Sequence, residues 1–131
     1  MTEKVFYTGR THTTGGPNGA GRSSDGFLDV KLPDPHPAAE NLFGVAWSAC
    51  YIGALGLAAA QQKIALPADT AVDAQIDLVR DASGFFLRAR LDVSLPGLDR
   101  AVAQDLIHAA HAICPYSKAV HGNIDVTTNL L

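Results

Sequence analysis

The two cysteines are the residues in this chain best equipped for chemistry. Cys50 lies in ENLFGVAWSACYIGALGLAAAQQK, residues 40–63, and Cys114 lies in HAICPYSKAVHGN. The first stretch carries no charge between Glu40 and Lys63. At spacings of three, four and seven, Cys50 shares a helical face with Phe43, Ala46, Trp47, Ala54 and Leu57. An apolar setting of that kind suits a greasy substrate. It is also what an inert buried cysteine looks like, because free Cys is among the most buried residue types. A nucleophilic role requires something that lowers the thiol pKa. Arg10 and Arg22, beside and within the glycine-rich stretch that begins at Gly15, are the cations to consider, and Glu40 is the carboxylate. No metal site is expected. Two cysteines are too few for a structural zinc site, and the three-residue spacing of His111 and Cys114 reads as coincidence.

The elements that must carry these side chains follow from periodicity. The Glu40 stretch has no proline and abundant Ala and Leu, so it reads as a long helix. Its length would allow a membrane span. Asn41, Ser48, three glycines and the Gln61–Gln62 pair favour a buried core helix, apolar on every side. Before it, Val5–Thr14 is rich in β-branched and aromatic residues and predicts a strand. Gly15–Gly21 predicts a loop or hairpin connection, without a dinucleotide or Walker pattern. Phe27–Leu32 predicts a second strand, with Leu28, Val30 and Leu32 on its buried face. Pro33–Pro37 is a connector to Glu40. Beyond Lys63 and a connector at Ile64–Pro67, strands are expected at Asp69–Val79 and Phe85–Leu95, joined by a turn at Arg80–Gly84. A second helix is expected over Leu98–Ile113, with Asp99 as N-cap and Pro115 as terminator. Asn123–Leu130 predicts a last strand.

The chain has 131 residues and 47% hydrophobic content, in keeping with a single domain over residues 1–131. Its formal charge of −3 and lack of a basic patch argue against nucleic acid as a partner. No apolar run of signal-peptide length follows Met1, and two cysteines suit a reducing compartment, so a cytoplasmic location without a membrane is expected. Antiparallel hairpins with segregated helices indicate an α+β fold. A helix apolar all round needs cover on every side, which one small five-stranded domain does not readily supply and an intertwined homodimer would.

The strings SSDGFLDVKL (residues 23–32), ENLFGVAWSACYIGAL (40–55), SLPGL (94–98) and AHAICPYSKAVHGNIDV (110–126), with paired glycines near the N-terminus, resemble the organic hydroperoxide resistance (Ohr) branch of the OsmC/Ohr family over nearly the whole chain. The resemblance implies antiparallel sheets around long buried helices in an intertwined homodimer with two active sites at the subunit interface. It implies a Cys-based thiol peroxidase that reduces organic hydroperoxides, fatty or alkyl, to alcohols. By position, Cys50 matches the peroxidatic cysteine, Cys114 the resolving one, and Glu40 the active-site glutamate. The implied reductant is external, a dihydrolipoyl group, free as dihydrolipoamide or carried on a lipoylated protein, with no bound cofactor. The family's catalytic arginine follows directly on the paired glycines, where this chain has Pro17. The connector before Glu40 is also shorter than usual. Arg22 is then the first candidate for the missing guanidinium and Arg10 the second. Phe43, Trp47 and Tyr116 are candidate lining residues for the substrate.

The implied chemistry makes two physical demands. An apolar site opposes ionisation of the Cys50 thiol, so a cation must offset burial, and arginine stays charged in such a place. For a disulfide, the two Cα atoms must come within about 7 Å. A straight helix would also set Glu40 ~15 Å along the axis from Cys50. Either the helix starts after Glu40, or Glu40 serves the thiol of the other subunit. A redox-sensing or hydrophobic-ligand-binding relative, with weak peroxidase activity for want of the usual arginine, is the alternative function.

Overall fold

In the computed structural model, residues 2–35 and 38–131 are described; His36 and Pro37, within the expected proline-rich connector, lie outside them. The chain gathers into two compact units, residues 1–39 and 40–131.

The first unit is an antiparallel meander of β1 (Thr11–Thr14), β2 (Gly19–Ser23) and β3 (Asp29–Leu32). A hairpin turn at positive-φ Gly16 closes on the bond from Gly19 N–H to Gly16 O, 3.0 Å. Gly19 is required for another reason. A Cβ there would lie 2.7 Å from Thr14 O and 2.9 Å from Leu32 O, both backbone atoms. The glycine-rich stretch is therefore half turn and half strand. The expected first strand is shortened at its start. β2 offers partners only from Thr11 onward, and Val5, Phe6 and Tyr7 are exposed, outside any strand. Likewise the pairing of β3 begins at Asp29, so Leu32 is buried but Leu28 is not.

The second unit is organised by α1 (Ala38–Gln61), which begins two residues inside the first. By length and composition α1 could cross a membrane. Here one side of it enters the core. Trp47, Tyr51, Ala54, Leu55, Ala58 and Ala59 are buried in one cluster with Ala89, Leu91 and Val93 of β5 (Gly84–Ser94) and Leu106 and Ala110 of α2 (Arg100–Ile113). At Gly44 the helix comes close to β4 (Ala71–Asp81), where an added Cβ would meet Ala74 and Ile76 side chains at 3.5 Å. The expectation of burial all round is corrected for the single chain. Val45 is 70% and Leu57 58% exposed, so an apolar flank of α1 has no cover within it.

β4 and β5 pair antiparallel through a two-residue turn, shorter than expected, from Asp81 to Gly84. The expected alternation holds in the C-terminal half of β5, where Ala89, Leu91 and Val93 are buried; Phe85 is exposed. Asp99 caps α2 by accepting from the Val102 N–H, as its position in the sequence predicts. Pro115 ends α2 but also opens an unexpected short helix, α3 (Pro115–Val120). Proline is well placed at the first helical position because its missing N–H would have no partner there. β6 (Asp125–Leu130) completes the second sheet, parallel to β5 rather than antiparallel.

Candidate active site

Cys50 and Cys114 reach one another through α1 and the α2–α3 junction. Cys50 sits at the edge of the buried stripe of α1, half-buried, while Cys114 is fully buried. Both are free thiols. The Cys114 thiol donates to Cys50 Sγ across 3.4 Å, although 64 positions separate them in the chain. Cys114 ends α2 and begins α3. Its backbone N–H donates to Ala110 O, and its sulfur accepts from the Ser117 backbone N–H at 3.5 Å.

Burial pushes the Cys50 thiol up, and the neighbouring Cys114 thiol pushes the same way; the backbone N–H of Tyr116 pulls it down. The thiol–thiol contact raises the Cys50 pKa if Cys50 is the donor. Desolvation is the largest effect and keeps the net direction upward. Among the described residues of the second unit, no arginine or lysine contributes to this shift.

Trp47, one turn before Cys50, is fully buried, and its indole N–H donates to Ser117 Oγ at 3.0 Å. Phe43 stands edge-on against Trp47, with ring centroids 5.7 Å apart. Tyr116 is exposed on α3. Tyr51, also fully buried, donates its hydroxyl to Ile107 O at 2.9 Å; burial raises its pKa. A cleft is lined by Trp47, His111, Ser117, Val120, Ile124 and Thr128, among others, with neither cysteine in its wall.

Glu40 lies in the first turn of α1 and faces a groove with Gly44, Ser48 and Ala49 on the helix and Val72 and Ile76 on β4. Because α1 starts at Ala38, Glu40 and Cys50 belong to one helix, ten residues apart. That separation is ~15 Å along the axis. The option of a helix starting after Glu40 is therefore closed. Arg22 lies in the first unit, on β2, and its Nε pairs with Asp29 Oδ1 on β3 at 3.1 Å. Arg10 precedes β1, and its carbonyl accepts from the Ser24 N–H at 3.0 Å. Pro17 lies in the turn between β1 and β2.

Two side chains at this site were not singled out from the sequence. Ser117 is buried and receives the Trp47 N–H. His111 bonds Ser117 Oγ through Nδ1 at 2.9 Å and Thr128 Oγ1 through Nε2 at 2.8 Å. The spacing of His111 and Cys114, read above as coincidence, brings both against Ser117. The available signal was His111, Cys114 and Ser117 at successive three-residue steps. Among the described residues no cluster of His, Cys, Asp or Glu could hold a metal ion.

The OsmC-like protein family matches residues 32–129. The chain is similar to the organic hydroperoxide resistance protein of Xanthomonas axonopodis pv. citri, with 40% identity covering 98% of this chain and 96% of that one. The crystal structure of the organic hydroperoxide resistance protein OhrB of Bacillus subtilis superposes with a TM-score of 0.87 at 38% identity, covering 97% of this chain and 100% of the other. The crystal structure of an organic hydroperoxide resistance protein from Elizabethkingia anophelis, with thiocyanate bound, also gives 0.87, at 35% identity and 98% coverage of each chain.

Proposed function

The chain belongs to the OsmC/Ohr family, in its organic hydroperoxide resistance branch, and from that premise we propose that it is a Cys-based peroxidase reducing organic hydroperoxides to alcohols. The observation that carries the proposal is the pair of free thiols 3.4 Å apart, one half-buried and one fully buried. The half-buried Cys50 attacks the peroxide as thiolate, releases the alcohol and becomes a sulfenic acid. The buried Cys114 condenses with it, giving a disulfide and water before further oxidation intervenes. A dihydrolipoyl dithiol, free or on a lipoylated protein, restores both thiols by exchange. Fatty or alkyl hydroperoxides suit the apolar neighbours of Cys50, with Phe43, Trp47 and Tyr116 as the residues assigned to the substrate.

The active unit in this proposal is a homodimer. The uncovered flank of α1, with Val45 and Leu57, and the exposed Phe85 and Phe86 of β5 give a second copy an apolar surface to cover. The unbroken α1 supports the view that Glu40 serves the thiol of the partner subunit. The cation that offsets burial of Cys50 is assigned to Arg22, before Arg10, in place of the guanidinium that Pro17 displaces. The thiols remain reduced in the cytoplasm.

Stopped-flow oxidation by cumene or tert-butyl hydroperoxide, with turnover on dihydrolipoamide, tests the proposal. Cys50→Ser should abolish oxidation, and Cys114→Ser should leave Cys50 sulfenic acid. The upward push of burial on Cys50 favours a second reading, a redox sensor or hydrophobic-ligand carrier of the same fold. Slow oxidation without dihydrolipoamide turnover would decide for that one.

A further inference from the structure

The two sulfurs are held together by bonds outside the sulfur chemistry. Trp47 stands one turn before Cys50 on α1, and Ser117 one turn after Cys114 on α3. The 3.0 Å bond between them therefore ties the two segments that carry the thiols. Ser117 is in turn bonded to His111, and His111 to Thr128 on β6.

Counting donors fixes how this chain of bonds runs. The Trp47 N–H can only donate, so Ser117 Oγ accepts it. With neutral His111 carrying its proton on Nε2, that N–H donates to Thr128 and the Ser117 hydroxyl donates to Nδ1; this tautomer is assigned because it makes the most bonds. A second proton, on Nδ1, turns both ring nitrogens into donors. Ser117 Oγ must then accept two N–H groups, and its own hydrogen loses the His111 acceptor.

We propose that His111, acting through Ser117, is a positioning residue for the second thiol: its neutral form holds Ser117 between Trp47 and Cys114, and its protonation slackens that hold. The inference rests on the peroxidase reading, since it concerns the step in which Cys114 resolves the Cys50 sulfenic acid. In that step an S–S bond forms and the S–O bond breaks, and the Cys114 proton leaves with the hydroxyl as water. The Cys50 sulfur is reduced as the Cys114 sulfur is oxidised, so no other redox partner is needed.

The groups facing His111 come from every surrounding element: Tyr51 of α1 against its ring, His108 of α2, Lys118 of α3, His121 at its end, and Asp125 at the start of β6. Burial, aided by the charge of His108, pushes the His111 imidazole down, so the neutral form prevails at neutral pH.

Trp47 is the one tryptophan in the chain, so its fluorescence reads the network directly. In the reduced protein, without peroxide, its emission should change in a single transition with a midpoint below about 6.5. The transition should vanish in His111→Asn, which keeps a polar side chain that does not titrate. A flat wild-type profile, or a transition that survives in His111→Asn, overturns the inference. A second measurement divides Cys50 sulfenic acid between a dimedone adduct and the disulfide after cumene hydroperoxide, read by intact mass. Ser117→Ala, which removes the tie to Trp47, should raise the adduct-to-disulfide ratio about tenfold, the factor for that lost hydrogen bond. An unchanged ratio in a folded Ser117→Ala overturns the inference; if that variant does not fold, the ratio in wild type should rise relative to His111→Asn as pH falls through the transition, and parallel profiles overturn it. Should peroxide leave Cys50 untouched, the peroxidase reading fails by itself. Diamide-driven disulfide formation, slowed or not by Ser117→Ala, then decides the positioning role.

Discussion

Oxidation itself offers a quantitative check on the thiol pair. Joining Cys50 to Cys114 closes a loop across 64 positions. In the chain-entropy treatment, that closure removes about 4 kcal/mol of freedom from the unfolded chain. Moving the sulfurs from 3.4 Å to bonding distance, about 2 Å, requires a shift of little more than 1 Å. The bond from the Ser117 N–H to Cys114 Sγ is weakened in the process, at a cost of about 1 kcal/mol. The oxidised protein should therefore be more stable by about 3 kcal/mol, or roughly 10 °C in Tm for a chain of this size. Thermal unfolding followed by circular dichroism, on dithiothreitol-reduced and diamide-oxidised protein at one concentration, measures the difference. Cys114→Ser should show none. A Tm that falls on oxidation would mean that the native fold cannot accommodate the bond, and a rise that persists in Cys114→Ser would assign the effect to another modification.

Four further outcomes test other parts of the structure. Because the His111 pKa is lowered in the folded state, folding stability should be fully present above about pH 6.5 and be lost as pH falls through the lower folded value. Urea unfolding at a series of pH values should show that loss in wild type and less of it in His111→Asn; equal slopes would refute the assignment. Gly19→Ala drives a Cβ into two backbone oxygens and should cost about 1–3 kcal/mol, whereas Gly15→Ala meets nothing within 4 Å and should be nearly neutral. Hydrogen exchange in β2 separates the two. Val45→Arg should shift sedimentation from dimer to monomer, and an unchanged sedimentation coefficient would place the interface elsewhere. If Glu40 acts across the interface, mixing inactive Cys50→Ser and Glu40→Gln chains under exchange should restore about a quarter of wild-type turnover, since half the dimers then hold one complete site. No recovery, with exchange shown by mass, would return Glu40 to its own subunit.

The sequence was most readable where structure is set locally. The cap at Asp99 is an interaction spanning three residues, and the hairpin of β4 and β5 announces itself by alternation. Reading failed where pairing is remote. Nothing in Val5–Arg10 reveals that β2 offers no partner there, and nothing in Asp125–Leu130 reveals that it will lie parallel to β5. Pro115 was read only as a stop, although proline after a capping residue is also a helix start. At the site, the resemblance brought Cys50 and Cys114 together and the structure bears out their proximity. Ser117 and His111 stayed hidden because their importance depends on the Trp47 N–H, 70 positions from Ser117, which arrives only when α1 packs.

Cys114 is the N-cap of α3, with its sulfur accepting a backbone N–H as a serine hydroxyl would. Oxygen is the better acceptor, and Ser is among the preferred residues at such a position. A Ser-for-Cys exchange there should therefore leave the helix start intact or firmer while removing every redox property of the position. The architectural case for sulfur at this junction is packing alone, since Cys114 is fully buried in the apolar core, where a hydroxyl would be the poorer filling.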